Sequence, residues 1–384
     1  MDPKKKILYI HHDLGNSGAS RSLSFLLDKL NTEKFTAKVH CIFDGPVLEL
    51  FKDKPVELIS RRSIFPFHGS TVTGMSLELF VRNIIRVPQT FISAFKMIRK
   101  HKPDLLHLNS SSLFVVAMAA KLVNRNIKIV CHVREPLLKH SISAFIIRYM
   151  NYFFVDHFIA IDHFSGSSMK TKNNISIIYN AVNFEDYYPG INSKLIRNEF
   201  KINGNDVVFL YLARIAKCNG VLQLVKVANK LTKHYPHFHF VLAGFKEVSL
   251  NKYETQVFSA ITSNSNIHTM TFRNEVPLLI AGSDILVVPF IEPHFARSIV
   301  EASAMAKPII GSNVGGVNEL INAETGLLYN TEQELYDYCV KLGTDKSLQA
   351  KLGNGALGFA KKNFDNNISS NGVFDIYNTL LNIK

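Results

Sequence analysis

Apolar residues in this chain come in short runs, separated by longer stretches with helical spacing. KKILYIHH reads as a strand, Ala19–Leu30 as a helix and Ala37–Phe43 as a second strand. Leu105–Leu108, Lys128–His132 and His157–Ile161 are continuous enough to be buried strands, while Ser76–His101 and Ser111–Val123 carry helical periodicity between them. The pattern then repeats. Val207–Leu212, His239–Ala243, Ile285–Val288 and Pro308–Gly311 read as strands, with helices over Val221–His234 and Ser298–Ala306. Gly315–Gly316 is expected to open a further helix. Strands alternating with helices predict parallel sheets with right-handed crossovers.

A polar stretch near Phe184–Pro189 follows the strand-like ISIIYNAV, so two domains are expected, residues 1–184 and 185–384. Their length agrees: 384 residues are too many for one ordinary core. The last segment, Leu348–Ile383, is helical with no strand after it. It either lies on the domain before it or returns to the first.

Composition narrows the class. Apolar residues make up 47% and charged residues 20%, as in a folded globular chain. The longest apolar stretches, Leu113–Val123 and Phe145–Ile161, are interrupted by charged or polar residues, which argues against a spanning helix. The apolar part of the N-terminus is only Ile7–Ile10, too short for a signal-peptide core. Cys41, Cys131, Cys218 and Cys339 lie far apart and read as isolated thiols. The fifteen histidines form no HExxH and no ligand-spaced cluster, so no metal is expected.

Net charge is +13, and its distribution is uneven. Residues 1–184 hold 25 Lys and Arg against 13 Asp and Glu (+12), whereas residues 185–384 hold 19 against 18 (+1). Nucleic acid, an anionic membrane surface or an anionic acceptor would each suit the first half. No nucleic-acid-reading motif accompanies the charge, so nucleic acid is not the expected partner. The segment SLELFVRNIIRVPQTFISAFKMIRKHK interleaves Phe80, Phe91 and Phe95 with Arg82, Arg86, Lys96, Arg99 and Lys100. It reads either as an interfacial helix pair, divided or kinked at Pro88, or as core helices with solvated basic faces.

The richest chemistry lies between Ile285 and Tyr329. A strand ends at Pro289, a loop carries Glu292, Pro293 and His294, and a helix follows. Loops at the carboxyl ends of parallel strands are where open α/β sheets bind ligands, and helix starts there present N–H groups to phosphate. Gly315 and Gly316 permit close backbone approach, and a carboxylate such as Glu301 can hold sugar hydroxyls. Together these features suggest a nucleotide-sugar site.

Seven segments in order, KPDLLHLNSS, VDHFIAID, ISIIYNAVNFEDYYP, VFLYLARIAKCNGV, FHFVLAGF, GSDILVVPF and NVGGVNELINAETGLLY, resemble those of the retaining glycosyltransferases of family four. The resemblance runs nearly end to end and implies an α/β fold of two Rossmann-like domains facing a cleft (GT-B). It implies that Glu301 contacts the nucleotide ribose and that Arg214 holds the donor diphosphate. The family's lysine falls at Asn219 here, and Lys217 is the available substitute. The family's two glutamates stand eight apart, whereas Glu292 and Glu301 stand nine apart. Either His294 is inserted and Glu292 faces the donor sugar, or the register is unchanged and Glu292 flanks the site. His294, Phe295, Gly315, Gly316, Val317 and Glu319 complete the donor-binding set, with Glu319 also a candidate helix cap. His132 in HVREP is expected near the donor sugar, with Glu135, His11 and His12 as weaker candidates. The loop of Gly15, Gly18, Ala19 and Arg21 is expected where acceptor and diphosphate approach the first helix.

The implied activity is that of a retaining, metal-independent hexosyltransferase. It would move a sugar from a nucleoside-diphosphate sugar, UDP by default, to a hydroxyl of a lipid-linked or surface-polysaccharide glycan such as lipopolysaccharide or capsule. No cofactor besides the donor is implied. A catalytically impaired GT-B scaffold subunit and a nucleic-acid-binding protein are the alternatives. The expected location is the cytoplasm, free or peripheral on the inner face of its membrane.

Overall fold

The computed structural model describes residues 3–15, 17–70, 74–171, 174–246, 249–261 and 264–383. The chain divides into two compact units, one of residues 1–181 with 366–384 and one of residues 182–365.

In the first unit the strands are β1 (Lys5–His11), β2 (Phe35–Cys41), β3 (Glu57–Ser60), β4 (Leu105–Leu108), β5 (Lys128–Val133), β6 (His157–Ala160) and β7 (Ile175–Ile177). All pair in parallel, in the order β3-β2-β1-β4-β5-β6-β7. The helices are α1 (Gly18–Asp28), α2 (Val47–Phe51), α3 (Leu77–His101), α4 (Phe114–Val123), α5 (Ile142–Phe154) and α6 (His163–Ser168). All four residues of β4 are buried, as both faces of a parallel sheet require. The helix α4 is apolar nearly all round because α3 and α5 pack on its outer side.

The second unit carries β8 (Val207–Leu212), β9 (Phe238–Phe245), β10 (Ile267–Thr271), β11 (Ile285–Val288), β12 (Ile309–Ser312) and β13 (Gly326–Tyr329), again all parallel, in the order β10-β9-β8-β11-β12-β13. Its helices are α7 (Leu195–Phe200), α8 (Val221–His234), α9 (Lys252–Ile261), α10 (Val276–Ala281), α11 (Arg297–Ala304), α12 (Glu332–Thr344) and α13 (Lys346–Asn363). Its main core joins Phe209, Phe238 and Phe240 of the sheet to Leu224, Val225 and Leu231 of α8.

Four expectations need correction. The terminal helical segment is two helices, since α13 ends at Asn363 and α14 (Asn366–Leu381) belongs to the first unit. There Val373, Phe374 and Tyr377 join the core of Tyr9, Leu23 and Phe35. The division therefore falls after Ala181 instead of after Phe184, and the second unit ends at Asp365. The segment 77–101 is one helix with Pro88 inside it, and Phe80, Phe91 and Phe95 turn inward to pack on core clusters. No helix follows Gly315–Gly316: residues 315–319 are successive turns, with Val317 and Asn318 both donating to the Val314 carbonyl, so Glu319 caps no helix.

Candidate active site

Strand order places a switch point in each sheet, where successive crossovers leave in opposite directions and the loops part to form a crevice. In the second unit it lies between β8 and β11, which pair with each other. The loop after β8 carries Arg214 and Lys217, both exposed. Asn219 is buried: its amide donates to the Arg214 carbonyl (2.8 Å), which also accepts from the Tyr211 hydroxyl (2.7 Å). Asn219 therefore shapes the loop from beneath, and the exposed cations are Arg214 and Lys217.

This loop is fastened to the one after β11. The Cys218 carbonyl accepts from the backbone N–H groups of Ile291 (2.9 Å) and Glu292 (3.1 Å). Gly220, at φ +67°, makes the approach possible, since a Cβ there would stand 1.8 Å from the Pro289 carbonyl oxygen. Glu292 is exposed. The His294 ring folds back over Phe290, with centroids 4.2 Å apart, and its Nδ1–H donates to the Glu292 carbonyl (2.8 Å). Burial pushes the His294 pKa down, and the charge of Arg214 adds to it. A neutral ring with its proton on Nδ1 presents Nε2 as an acceptor.

The turn after β12 closes on the same loop. A Cβ on Gly316, at φ +82°, would stand 2.6 Å from the His294 carbonyl, so only glycine brings this turn against residues 294–295. Ser312 donates to the Phe290 carbonyl (2.6 Å). The Val317 side chain is wholly buried and its N–H donates to the Val314 carbonyl, so this residue packs the turn from within. Phe295 and Glu319 are half-buried. Glu301 lies buried on α11, ion-paired with Arg297 one turn earlier (3.0 Å).

In the first unit the switch point lies between β1 and β4. Asn109, just after β4, donates from Nδ2 to His11 Nδ1 (2.8 Å), and His11 Nε2–H donates to Ser20 Oγ (3.1 Å). Ser20 in turn donates to the Gly15 carbonyl (2.6 Å), tying the glycine loop to the strand end. Asn109 Oδ1 accepts from both Nε (3.0 Å) and Nη2 (2.6 Å) of Arg134, whose Nη1 donates to Asn180 Oδ1 (2.9 Å). Arg134 is thus a buried guanidinium held by two neutral amides. Gly18 and Ala19 begin α1 behind the Ser17 cap, with Arg21 half-buried in its first turn. His132 is buried at the end of β5, and neither ring nitrogen has a hydrogen-bond partner among the described residues.

Beside this network lies a cavity of about 310 Å³. His12, Asp13, His68, Ser110 and Glu135 give it polar walls, and Phe43, Leu137 and Ile147 give it apolar ones. Asp13 Oδ1 accepts from the Leu14 N–H (2.7 Å), which fixes the loop at its rim.

Sequence reasoning singled out His132 but passed over Arg134, Asn109 and Asn180. Asn109 and Arg134 each sit just beyond a buried strand, and a polar residue in that position is the signal that would have found them; Asn180 follows the partly buried β7 by three residues and carries no such signal. His68 and Ser110 had no comparable signal.

Several histidines make acid stability predictable. Burial, reinforced by Arg134, holds His11 and His132 well below the usual imidazole value and His107 at about 3. Burial also brings His40 and His268 to about 4. The unfolded chain takes up these protons near pH 6.5, whereas the folded chain resists them, so the stabilisation is complete above that pH and is lost as pH falls toward the folded values. Each of the wholly buried His11, His107 and His132 is expected to cost on the order of 1–2 kcal/mol at about pH 5, and the partly solvated His268 less. Unfolding midpoints measured in urea from neutral pH downward should fall steeply; a flat profile would contradict the neutral buried state.

Comparison with known proteins follows the same division of the chain. The family model for glycosyltransferase family 4 matches residues 36–186, and that for glycosyl transferases group 1 matches residues 192–358. An Escherichia coli relative, UDP-Gal:alpha-D-GlcNAc-diphosphoundecaprenol alpha-1,3-galactosyltransferase, is 23% identical over 338 residues, covering 80% of this chain and 79% of its own. The Staphylococcus aureus capsular polysaccharide biosynthesis glycosyltransferase CapM is 22% identical over 222 residues, covering 56% and 58%. Among solved structures, Anabaena HepE in complex with UDP and glucose superposes with a TM-score of 0.78 at 20% identity, over 97% of this chain and 99% of its own. A Rickettsia africae glycosyltransferase gives 0.81 at 21%, over 98% and 99%. The chain belongs to the group 1, family 4 glycosyltransferases, enzymes of the GT-B fold.

Proposed function

We propose that the protein transfers a hexose from a UDP-sugar to a hydroxyl of a lipid-linked glycan during synthesis of a surface polysaccharide. The observation that carries this reading is the gathering of Arg214, Lys217, Glu292, His294 and the Gly315–Gly316 turn at the carboxyl ends of β8, β11 and β12. Two exposed cations and a turn of backbone N–H groups suit a diphosphate. Glu292 and the acceptor nitrogen of His294 suit sugar hydroxyls. We take His294 as the inserted residue, since its ring folds back inside the loop and Glu292 stays exposed. Glu301, steadied by Arg297, is assigned to the ribose. UDP and the lipid-linked acceptor rest on the Escherichia coli relative, and UDP also on the Anabaena complex.

The second unit binds the donor and the first binds the acceptor. The cavity beside β1 and β4 takes the accepting sugar, with Asp13 and Glu135 receiving its hydroxyl protons in hydrogen bonds. In the reaction the bond from the anomeric carbon to the β-phosphate oxygen breaks as the acceptor oxygen attacks from the same face. The acceptor proton passes to the departing phosphate, and the configuration is retained. Arg214 and Lys217 stabilise the charge that develops on the diphosphate, in place of a metal or other cofactor.

The test is transfer from UDP-glucose, UDP-galactose and UDP-N-acetylglucosamine to a short-chain GlcNAc-diphospholipid, with the product's anomeric configuration read by NMR in chelator-treated buffer. An α-linked product from one donor is expected. A β-linked product would overturn retention, and transfer restored only by added divalent cation would overturn metal independence.

A further inference from the structure

Two helices of the first unit turn apolar faces outward. On α5, Ile142 is 70% exposed, Phe145 63% and Tyr152 66%, and Tyr149 and Phe153 are exposed beside them. The rings touch in series, Phe145 to Tyr149 with centroids at 5.9 Å and Tyr149 to Phe153 at 4.6 Å. On α3, Leu77 is 80% exposed and Ile85 70%, and with Val81 they form an open groove beside Arg82 and Arg86. The spacing 77, 81, 85 keeps these side chains on one face.

Both helices pack on α4. Phe80 and Phe91 from the inner side of α3 share one core cluster with Ile146 and Met150 of α5, so both helices rest on the same support. Scattered apolar residues need no explanation, but contiguous ones do. The helix α3 carries Arg82, Arg86, Lys96, Arg99 and Lys100 against a single acid, Glu78. A two-fold contact with a second copy would set these like charges against each other.

We infer that the outward faces of α3 and α5 form one docking surface for an anionic phospholipid bilayer. The aromatic row of α5 and the aliphatic row of α3 enter the headgroup–acyl boundary, and the arginines meet the lipid phosphates. Docking is peripheral, for no helix among the described residues is long and apolar enough to cross a membrane. Ile147, on the inner side of α5, lines the cavity assigned to the acceptor sugar, so the surface lies next to that cavity. A glycan whose carrier lipid remains in the bilayer would thus be presented where it is used. The inference rests on the lipid-linked reading of the acceptor.

Flotation of the full chain with vesicles of phosphatidylcholine alone, or of phosphatidylcholine with phosphatidylglycerol, tests it. Binding is expected to the anionic vesicles and to weaken with salt. Arg82→Glu, and separately Phe145→Ser with Tyr152→Ser, should each lower it by about tenfold at an unchanged melting temperature. The same variants should keep wild-type kcat/KM on a water-soluble acceptor. Absent flotation, equal flotation by the variants, or a dimer that these substitutions dissociate would overturn the inference. Vesicle binding by a protein that transfers only to free sugars would leave the docking surface standing and refute the lipid-linked acceptor instead.

Discussion

Arg214→Ala is expected to lower kcat/KM for the sugar donor by about 10²–10³-fold, the usual consequence of removing one preorganised group that stabilises developing charge. Arg214 is exposed, and its backbone carbonyl, not its side chain, anchors the loop to Tyr211 and Asn219. The melting temperature should therefore barely move, which separates loss of chemistry from loss of fold. Lys217→Ala should act in the same direction but more weakly, because an ammonium makes a single point contact where a guanidinium grips two oxygens. Asn219→Ala should behave differently. It frees the Arg214 carbonyl from a buried partner and should lower stability by about 1–3 kcal/mol. Steady-state kinetics with thermal unfolding of the three variants distinguishes these roles. An Arg214→Ala enzyme of near wild-type kcat/KM would remove the residue from the reaction.

The second large effect is expected from a methyl group. In Gly220→Ala the new carbon would meet the Pro289 carbonyl oxygen at 1.8 Å in a backbone conformation that alanine disfavours. Relief requires the loops after β8 and β11 to part, which breaks the paired hydrogen bonds from Ile291 and Glu292 to the Cys218 carbonyl. A loss of about 2–5 kcal/mol is expected from overpacking and strain together. Donor affinity should fall as well, since Arg214 and Lys217 would shift away from Glu292 and His294. Gly204→Ala is the control: nothing lies within 4 Å of its missing Cβ, so the melting temperature should change little. Equal stability of both variants would show that the loops are not clamped as described.

Where the sequence was easiest to read, an apolar run stood between clear breakers. Leu105–Leu108, Val207–Leu212, Ile285–Val288 and the helix Val221–His234 have the limits their patterns predict. Edge strands were harder. Glu57 and Ser60 are exposed and only Leu58 and Ile59 between them are partly buried, so this strand carries little of the apolar signal that marks a central one. The turns after Gly315 misled for a different reason: Val317, Leu320 and Ile321 have helical spacing, but Gly316 at φ +82° takes the backbone out of the helical region. The terminal helix was ambiguous because its apolar face suits any core; only the structure shows that Tyr377 packs by Tyr9, with centroids 6.5 Å apart.

The site was legible in part. Arg214 and the Glu292–Glu301 loop stood out through resemblance, but the buried part played by Asn219 could not, because a hydrogen bond to a carbonyl five residues back leaves no pattern. The Asn109–Arg134–Asn180 network joins residues from three separate strand ends, and pairing of that kind is set by topology. The outward aromatics of α5 were equally hidden, since ISAFIIRYMNYFF is apolar on nearly every side and gives no sign of which side is covered.

The central claim is that the loops after β8, β11 and β12 hold the diphosphate of a nucleotide sugar. Calorimetric titration of the full chain with UDP tests it most directly, with ADP, GDP and dTDP in parallel and Arg214→Ala as the paired variant. Saturable binding of UDP that weakens at least about tenfold in the variant is predicted, as expected for a lost charge-assisted contact. Absence of binding by all four nucleotides at millimolar concentration, or UDP affinity unchanged by the substitution, would contradict it.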